Sequence, residues 1–509
     1  MYKGEDNAYF DASGGLVTSK PLSNLEDNES PNLRNVIITT GKGIQKRNGN
    51  SVYNATAMSS GAPITDVFYY KQSGGTEYLM AIAGSSIFKS EMDGVMDDIT
   101  GAVTISSSAN NLWTSFQMND LAIFVGGAPN APIKWSGTGN AAILGGSPPS
   151  GNFGFFHNNR MFIGGVSGNL SRIYWSALGD PESWTATGSG NQDIQKNDGD
   201  TLVGYAKIDT DTVLLFKQNS IHQLITRTSP FPVFPLFTGI GAVGKKAIVV
   251  NDGLVYFITP QAKMGITDGK KVIDEVDIPS LGNIDDIWTN LNESRLQYIS
   301  GVYYSGNGFD HIIWFVSSSG SATNDLALIW DIRHKCWLRF TSGYKSNSAE
   351  QTQSGKLYTG HYNGKIYLQD VESISTDASE SSPGAIDAYW SSSWKSRGSL
   401  SGSFHPFKIS IAVVSQTSGL LKIGYGYDYS SDIYLEDVPM QATGALWDQF
   451  LWDQESWGVQ SDIVRHIFSK GRGINFQLSY GNKVANETFK VHGYNLQTKK
   501  SGQKAFQVV

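Results

Sequence analysis

The sequence predicts an all-β protein, a β-propeller of about seven blades with an N-terminal arm and a C-terminal β-domain. Three observations carry that prediction. Hairpin-like units of the form apolar run, short Gly/Asn/Ser turn, apolar-aromatic run recur seven times, with early apolar anchors at Leu79, Leu121, Met161, Val213, Leu254, Ile312 and Leu357. Their spacings of 42, 40, 52, 41, 58 and 45 residues are those of four-stranded propeller blades. Composition agrees: 56 Gly, 12% aromatic residues and only 17% charged residues among 509, against about 25% charged in an ordinary domain. Finally, the windows show no 3.6-residue periodicity and are broken by Gly, Asn and Pro, which disfavours a helical repeat.

Residues 1–60 read as the arm, with one clear strand signal in "NVIITTGKGIQKRNG". Residues 61–372 hold the repeat, from "EYLMAIAGSSIFKS" at Glu77 to "KLYTGHYNGKIYLQD" at Lys356. A lone four-stranded sheet cannot bury both of its faces, but blades packed in a ring cover one another. After Asp370 the Ser- and acid-rich "ESISTDASESSPG" marks a linker into residues 373–509. There the alternation in "HPFKISIAVVS", "LLKIGYGYDYS" and "GINFQLSYGN" predicts strands of a separate β-domain, followed by a polar tail.

The composition also bounds function. A net charge of −7 argues against a dedicated nucleic-acid binder, whose affinity rests on Lys and Arg neutralising phosphates. The single cysteine, Cys336 in "HKCWLRF", excludes an intrachain disulfide and a cysteine metal cluster, and reads as a small buried strand residue. No apolar run is long enough for a transmembrane helix, so no membrane anchor is expected. The N-terminal stretch has acids where a secretory signal would have an apolar core.

Several motifs invite a chemical reading. "GIGAVG", Gly239 to Gly244, has dinucleotide-binding spacing but is followed by the strand-like "KKAIVVNDGLVYF" rather than a helix, so it reads as a turn between strands. Asp274, Glu275 and Asp277, and again Asp285 and Asp286, are carboxylates of the type a propeller glycosidase needs. They sit in no distinctive frame and read as solvated loop acids. His222, His311, His334 and His361 lack metal-ligand spacing. No catalytic residue, cofactor or metal is therefore expected. The unusual feature is "ALWDQFLWDQESWG", where Trp447, Trp452 and Trp457 stand five residues apart, a spacing that fits neither strand nor helix. They read either as core of the C-terminal domain or as an aromatic loop that docks a partner or gates a channel.

A series of short frames resembles the tail nozzle or tail hub proteins of short-tailed bacteriophages, also described as packaged-DNA stabilisation or tail tubular proteins. The frames are "NLRNVIITTGKGIQKRNG", with Asn48 where Pro is usual, then "NNRMFIGG" with "SRIYWSALGDPESW", then "LLFKQNSIHQL". "GIGAVGKKAIVVNDGLVYFITPQAKMGITDGKKV" and "LALIWDIRHKCWLRF" follow in the same order. The resemblance implies a structural virion protein rather than an enzyme, assembled in the host cytoplasm into the virion tail. It implies a sixfold ring under the portal and its adaptor, which retains packaged DNA and channels it during ejection. Fibres or spikes and a tail tip would dock on it, and double-stranded DNA would pass through the lumen without sequence-specific binding. Within such a ring the arm and the C-terminal domain are the candidates for inter-subunit pairing, through the strand Val36, Ile37 and Ile38 in particular. The alternative from another class is a propeller-type carbohydrate-active enzyme or lectin, which convergent carboxylates in a central pocket would favour.

Overall fold

The computed structural model describes residues 5–106, 108–227, 230–381, 384–396, 404–441 and 462–498. The chain divides into two units, one of Asn50–Arg333 with Gly343–Val371, the other of Met1–Gly49, His334–Ser342 and Glu372–Val509.

The first unit is a seven-bladed β-propeller. Its blades begin with the inner strands Ile64–Lys71, Thr114–Met118, Phe153–His157, Leu202–Lys207, Ile248–Asn251, Ser300–Tyr304 and Ser346–Gln351. Every one of the seven sequence anchors falls on the second strand of its blade, from Leu79 in Glu77–Ala83 to Leu357 in Leu357–His361. The longest spacing, between blades five and six, is filled by the five-residue helix Asp285–Thr289 between 3-10 turns, the one α-helix among the described residues.

Strand alternation explains how the ring holds together. In Glu77–Ala83, Met80 and Ile82 pack with Trp113, Phe124 and Trp135 of the second blade. The residues that alternate with them, Leu79, Ala81 and Ala83, turn to Tyr358 and Ile366 of the seventh. Successive side chains point to opposite faces, so one strand serves two neighbours. Phe116, Ile123 and Val125 meet Met161 and Ile163 in the same way, and Leu214 and Phe216 meet Val255 and Phe257. Burying a strand on both faces demands an unbroken apolar run, which is why these strands lack the polar alternation of an open sheet.

Closure comes from a segment that the sequence reading had assigned to the arm. Gly49–Val52 is the outer strand of the seventh blade, and the propeller unit begins at Asn50 rather than at residue 61. Just beyond, the Tyr53 N–H donates to the Ile366 carbonyl (2.9 Å). Asn54 fixes the same point: its Oδ1 accepts from the Ile366 N–H (2.6 Å) and its Nδ2 donates to Gly364 (3.3 Å).

The second unit is built from both chain ends. One sheet has the order Asp462–Ile467, Pro406–Val414, Lys490–Thr498, Ile44–Lys46, Val36–Ile38, with Glu5–Tyr9 also pairing Lys490–Thr498. The other runs Ile433–Pro439, Leu420–Tyr427, Phe476–Asn482, Ala388–Ser391, Leu33–Arg34. The predicted alternation holds: Ile409, Ile411 and Val413 are buried, as are Leu421, Ile423 and Tyr425. The arm and the C-terminal domain, drawn separately from the sequence, are thus one unit. His334–Ser342 is grouped with this unit, while its strand Cys336–Phe340 is the fourth strand of the sixth blade's sheet, where the sequence reading placed it.

Candidate functional site

The propeller encloses an axial cavity of about 490 Å³, lined from six of the seven inner strands and by the turn that precedes the fifth. That turn, Gly244–Ala247, starts at the last glycine of the "GIGAVG" motif. A Cβ on Gly241 would lie 2.2 Å from the Lys217 carbonyl oxygen, and one on Gly244 would lie 2.4 Å from that of Gln297. The glycines therefore serve close backbone approach between strands rather than phosphate binding. The Ala247 N–H donates to the Gly244 carbonyl (3.1 Å), so Lys245 and Lys246 occupy the centre of a β-turn and both line the cavity.

Two β-bulges bring partners to Lys246. The ladder shifts register between Ile64 and Asp66 in the first blade and between Ser346 and Ser348 in the seventh, and such irregularities re-aim side chains. Lys246 Nζ donates to Asp66 Oδ1 (2.6 Å) and to Ser348 Oγ (2.8 Å). Ser115 of the second blade donates its hydroxyl to the other Asp66 oxygen. Asp66 is buried, and its charge is matched by an ammonium and two hydroxyls. One ionic cluster thus ties four blades together.

The remaining groups are less fully matched. Burial pushes the Glu350 carboxyl up to about 8, with the Asp66 charge adding to the effect and Lys246 opposing it. This carboxyl is therefore largely protonated at neutral pH. Burial, then the neighbouring Lys246 charge, lowers Lys245 to about 7, and its Nζ donates to the Asn152 carbonyl (2.7 Å) and Oδ1 (3.1 Å). Lys207 is lowered by burial. Tyr205 stacks on Phe155 with ring centroids 4.3 Å apart, and burial raises its hydroxyl to about 12. A second cavity of about 650 Å³ shares Lys245 and is otherwise lined by neutral residues.

None of these cavity residues is singled out by sequence motif. The available signal was "GKK" immediately before an inner strand, where paired lysines have no solvated face to occupy. The acids that the sequence did single out lie on the surface: Lys263 bridges Glu275 (2.8 Å) and Asp285 (3.2 Å), and Lys271 approaches Asp277 (3.9 Å). His222 meets the Ser220 hydroxyl (3.0 Å) and His361 that of Thr359 (3.1 Å). Among the described residues no cluster of three His, Cys, Asp or Glu could hold a metal ion. Cys336 is buried. Trp447, Trp452 and Trp457 lie outside the described residues.

Val36, Ile37 and Ile38 are buried and pair with Lys46, Gln45 and Ile44 of the same chain. The strand ends the order of its sheet, so one of its two edges is paired within the chain. The same frame ends in a clasp. Arg47 donates to both Asp377 oxygens (2.9 and 2.5 Å), to the Ser342 carbonyl and hydroxyl (each 2.9 Å) and to Asn35 Oδ1 (3.3 Å). Its side chain is 2% exposed and that of Asp377 0%, so the pair is dry. Lys46, equally buried, donates to the Glu487 and Val484 carbonyls (2.8 and 3.1 Å) and to Asn482 Oδ1 (3.3 Å). Burial, with the adjacent Arg47 charge, lowers it to about 8. "KRNG" is thus the point where the N-terminal frame is fastened to segments more than 300 residues away in sequence.

No family model and no curated protein matches the sequence. Solved propellers are similar in fold. The WD40 β-propeller domain of Doa1 is 11% identical over 64% of this chain and 98% of that one, with a TM-score of 0.41. YCF48 from Cyanidioschyzon merolae is 11% identical over 61% and 96%, with a TM-score of 0.39. The Pan2 WD40 domain of Neurospora crassa is 9% identical over 64% and 98%, also with a TM-score of 0.39. The protein is an all-β, propeller-containing protein.

Proposed function

We propose that the chain is a structural subunit of a short-tailed phage tail, a nozzle-type protein that assembles in a closed ring beneath the portal adaptor. The observation that carries this reading is the interruption of one unit by the other. Strands from residues 5–46 and 388–498 share two sheets, and the propeller is inserted between them. An insertion of that kind separates a two-sheet unit that could make ring contacts from a propeller that closes on its own blades, in keeping with the resemblance in the sequence frames. The propeller cannot carry the genome itself, since its axis is occupied by the Asp66–Lys246 cluster. DNA would pass between subunits, and copies of a −7 chain would not hold phosphates tightly, which favours sliding.

The test is particle symmetry after mixing the purified chain with portal–adaptor complexes. A sixfold ring coaxial with the channel is expected. A persistent monomer with no affinity for the complex rejects the reading.

The second reading, a carbohydrate-active propeller, has one observation in its favour: Asp66 and Glu350 both line the axial cavity. Against turnover, both Asp66 oxygens are occupied by protein donors, which leaves Glu350 without a second free carboxyl to complete the pair. A glycoside panel cleaved by the wild-type chain but not by a Glu350→Gln variant would restore it.

A further inference from the structure

The groups lining the axial cavity differ in how completely they are used. Asp66, Lys246, Ser348 and Ser115 satisfy one another. Lys207, exposed at the end of the fourth inner strand, has no hydrogen-bond or ion-pair partner among the described residues and lines the same cavity. An ammonium in a concave site without a counter-ion is a standing attraction for an anion. The neighbouring groups add donors: the Glu350 carboxyl, protonated at neutral pH, and the Tyr205 hydroxyl. A cation would instead meet Lys207, Lys245 and Lys246.

The size and the donors narrow the class. A cavity of about 490 Å³ falls within the roughly 300–1,000 Å³ of small-molecule sites and excludes a nucleic-acid duplex. Its lining includes no Arg, the residue that matches phosphate with a fork of donors. One unpaired ammonium on the wall of the same cavity as a carboxyl and a phenol suits a monoanion that also carries hydroxyls.

We propose that the axial cavity is a receptor site for a small hydroxylated carboxylic acid of the sugar-acid class, its carboxylate held by Lys207 and its hydroxyls by Glu350 and Tyr205. The adjoining 650 Å³ cavity, with Asn110, Asn111, Gln218 and Gln297 along its wall, offers neutral hydrogen-bonding groups to whatever polar chain the acid terminates. The acid could therefore arrive free or as the end of an acidic oligosaccharide. The site belongs to the propeller alone and does not rest on the tail reading.

The experiment is calorimetric titration of the full chain with glucuronate, with glucose as the neutral control, with inorganic phosphate, and with an acidic disaccharide. Glucuronate is expected to bind at least about tenfold more tightly than glucose, the worth of one charge-assisted hydrogen bond. A Lys207→Met variant, accessible enough to fold normally, should lose that margin at unchanged melting temperature, and Lys207→Arg should recover part of it. A disaccharide that binds more tightly than glucuronate assigns the second cavity to an oligosaccharide, and equal affinity assigns the site to the free acid. No glucuronate binding, equal binding of glucose, tighter binding of phosphate, or full affinity in Lys207→Met each overturns the proposal.

Discussion

The propeller and the two-sheet unit are both all-β, but they are assembled on opposite plans. A blade is made of neighbours in sequence: Glu77–Ala83 pairs with Ser86–Ser90 across the turn at Gly84 and Ser85. In the two-sheet unit Glu5 pairs with Thr498, and Arg47 finds its counter-ion at Asp377. The first plan repeats and is tolerant, since each blade contributes a similar share of core. The second concentrates its integrity on a few long-range contacts, where one substitution should be felt most.

The largest expected effect is therefore at the clasp. Asp377→Ala leaves the Arg47 guanidinium buried without its counter-ion, and breaking a buried pair in this way costs about 3–5 kcal/mol. Thermal or urea unfolding should show the two-sheet unit destabilised while the propeller transition stays near its wild-type position. A single transition that moves as a whole would show that the two units unfold together, and the contrast between the plans would have no energetic counterpart.

The closing strand is the propeller's one departure from local assembly, and it should give the next largest effect. Asn54→Ala removes the acceptor of the Ile366 N–H and a donor to Gly364, both buried. An unsatisfied buried group costs about 1–3 kcal/mol. Hydrogen exchange should show faster opening of Ile366–Val371 and of residues 50–54, with the middle blades unchanged. Uniformly faster exchange in all seven blades would mean that closure is cooperative round the ring rather than a local latch.

This contrast also decides what could be read from the sequence. The seven anchors landed on seven second strands because local pairing leaves a periodic trace in composition. The inner strands were harder to see: Ser300–Tyr304 and Ser346–Gln351 are polar or mixed, since they face an axis that holds ions and hydroxyls. In the two-sheet unit, Pro406–Val414 and Leu420–Tyr427 were legible by alternation. Their union with Val36–Ile38 and Glu5–Tyr9 was not, because nothing local in a three-residue strand says which distant edge completes it. The frame "KRNG" was noticed as a resemblance, while its role as an anchor needed Asp377 and Glu487 to be placed beside it. The axial cluster was missed because its members are single residues on different blades, joined only when the ring closes.

The smallest predicted effects are changes with pH, which sharpen the comparison by assigning each titration to one unit. In the two-sheet unit, Lys46 has a folded value near 8 and an unfolded value near 10.5. The unfolded chain holds the extra proton between them, so stability should rise as pH increases from about 8 to 10.5. In the propeller, Glu350 runs the other way. Its folded value of about 8 lies above the ordinary 4.5, so the folded state binds the extra proton in that interval. The stability it contributes is fully present below pH 4.5 and is lost as pH rises toward 8. Glu350 is only half-buried, and water screens much of the interaction, so a shallow slope is expected. Glu350→Gln keeps the shape and removes the titration. Melting temperatures of the propeller transition, taken from pH 4.5 to 8 for wild type and variant, should converge at the acid end and separate toward pH 8, with the variant higher. Parallel curves would place the Glu350 carboxyl in an ordinary aqueous environment, and the axial cavity would then lose its neutral donor while Lys207 kept its charge.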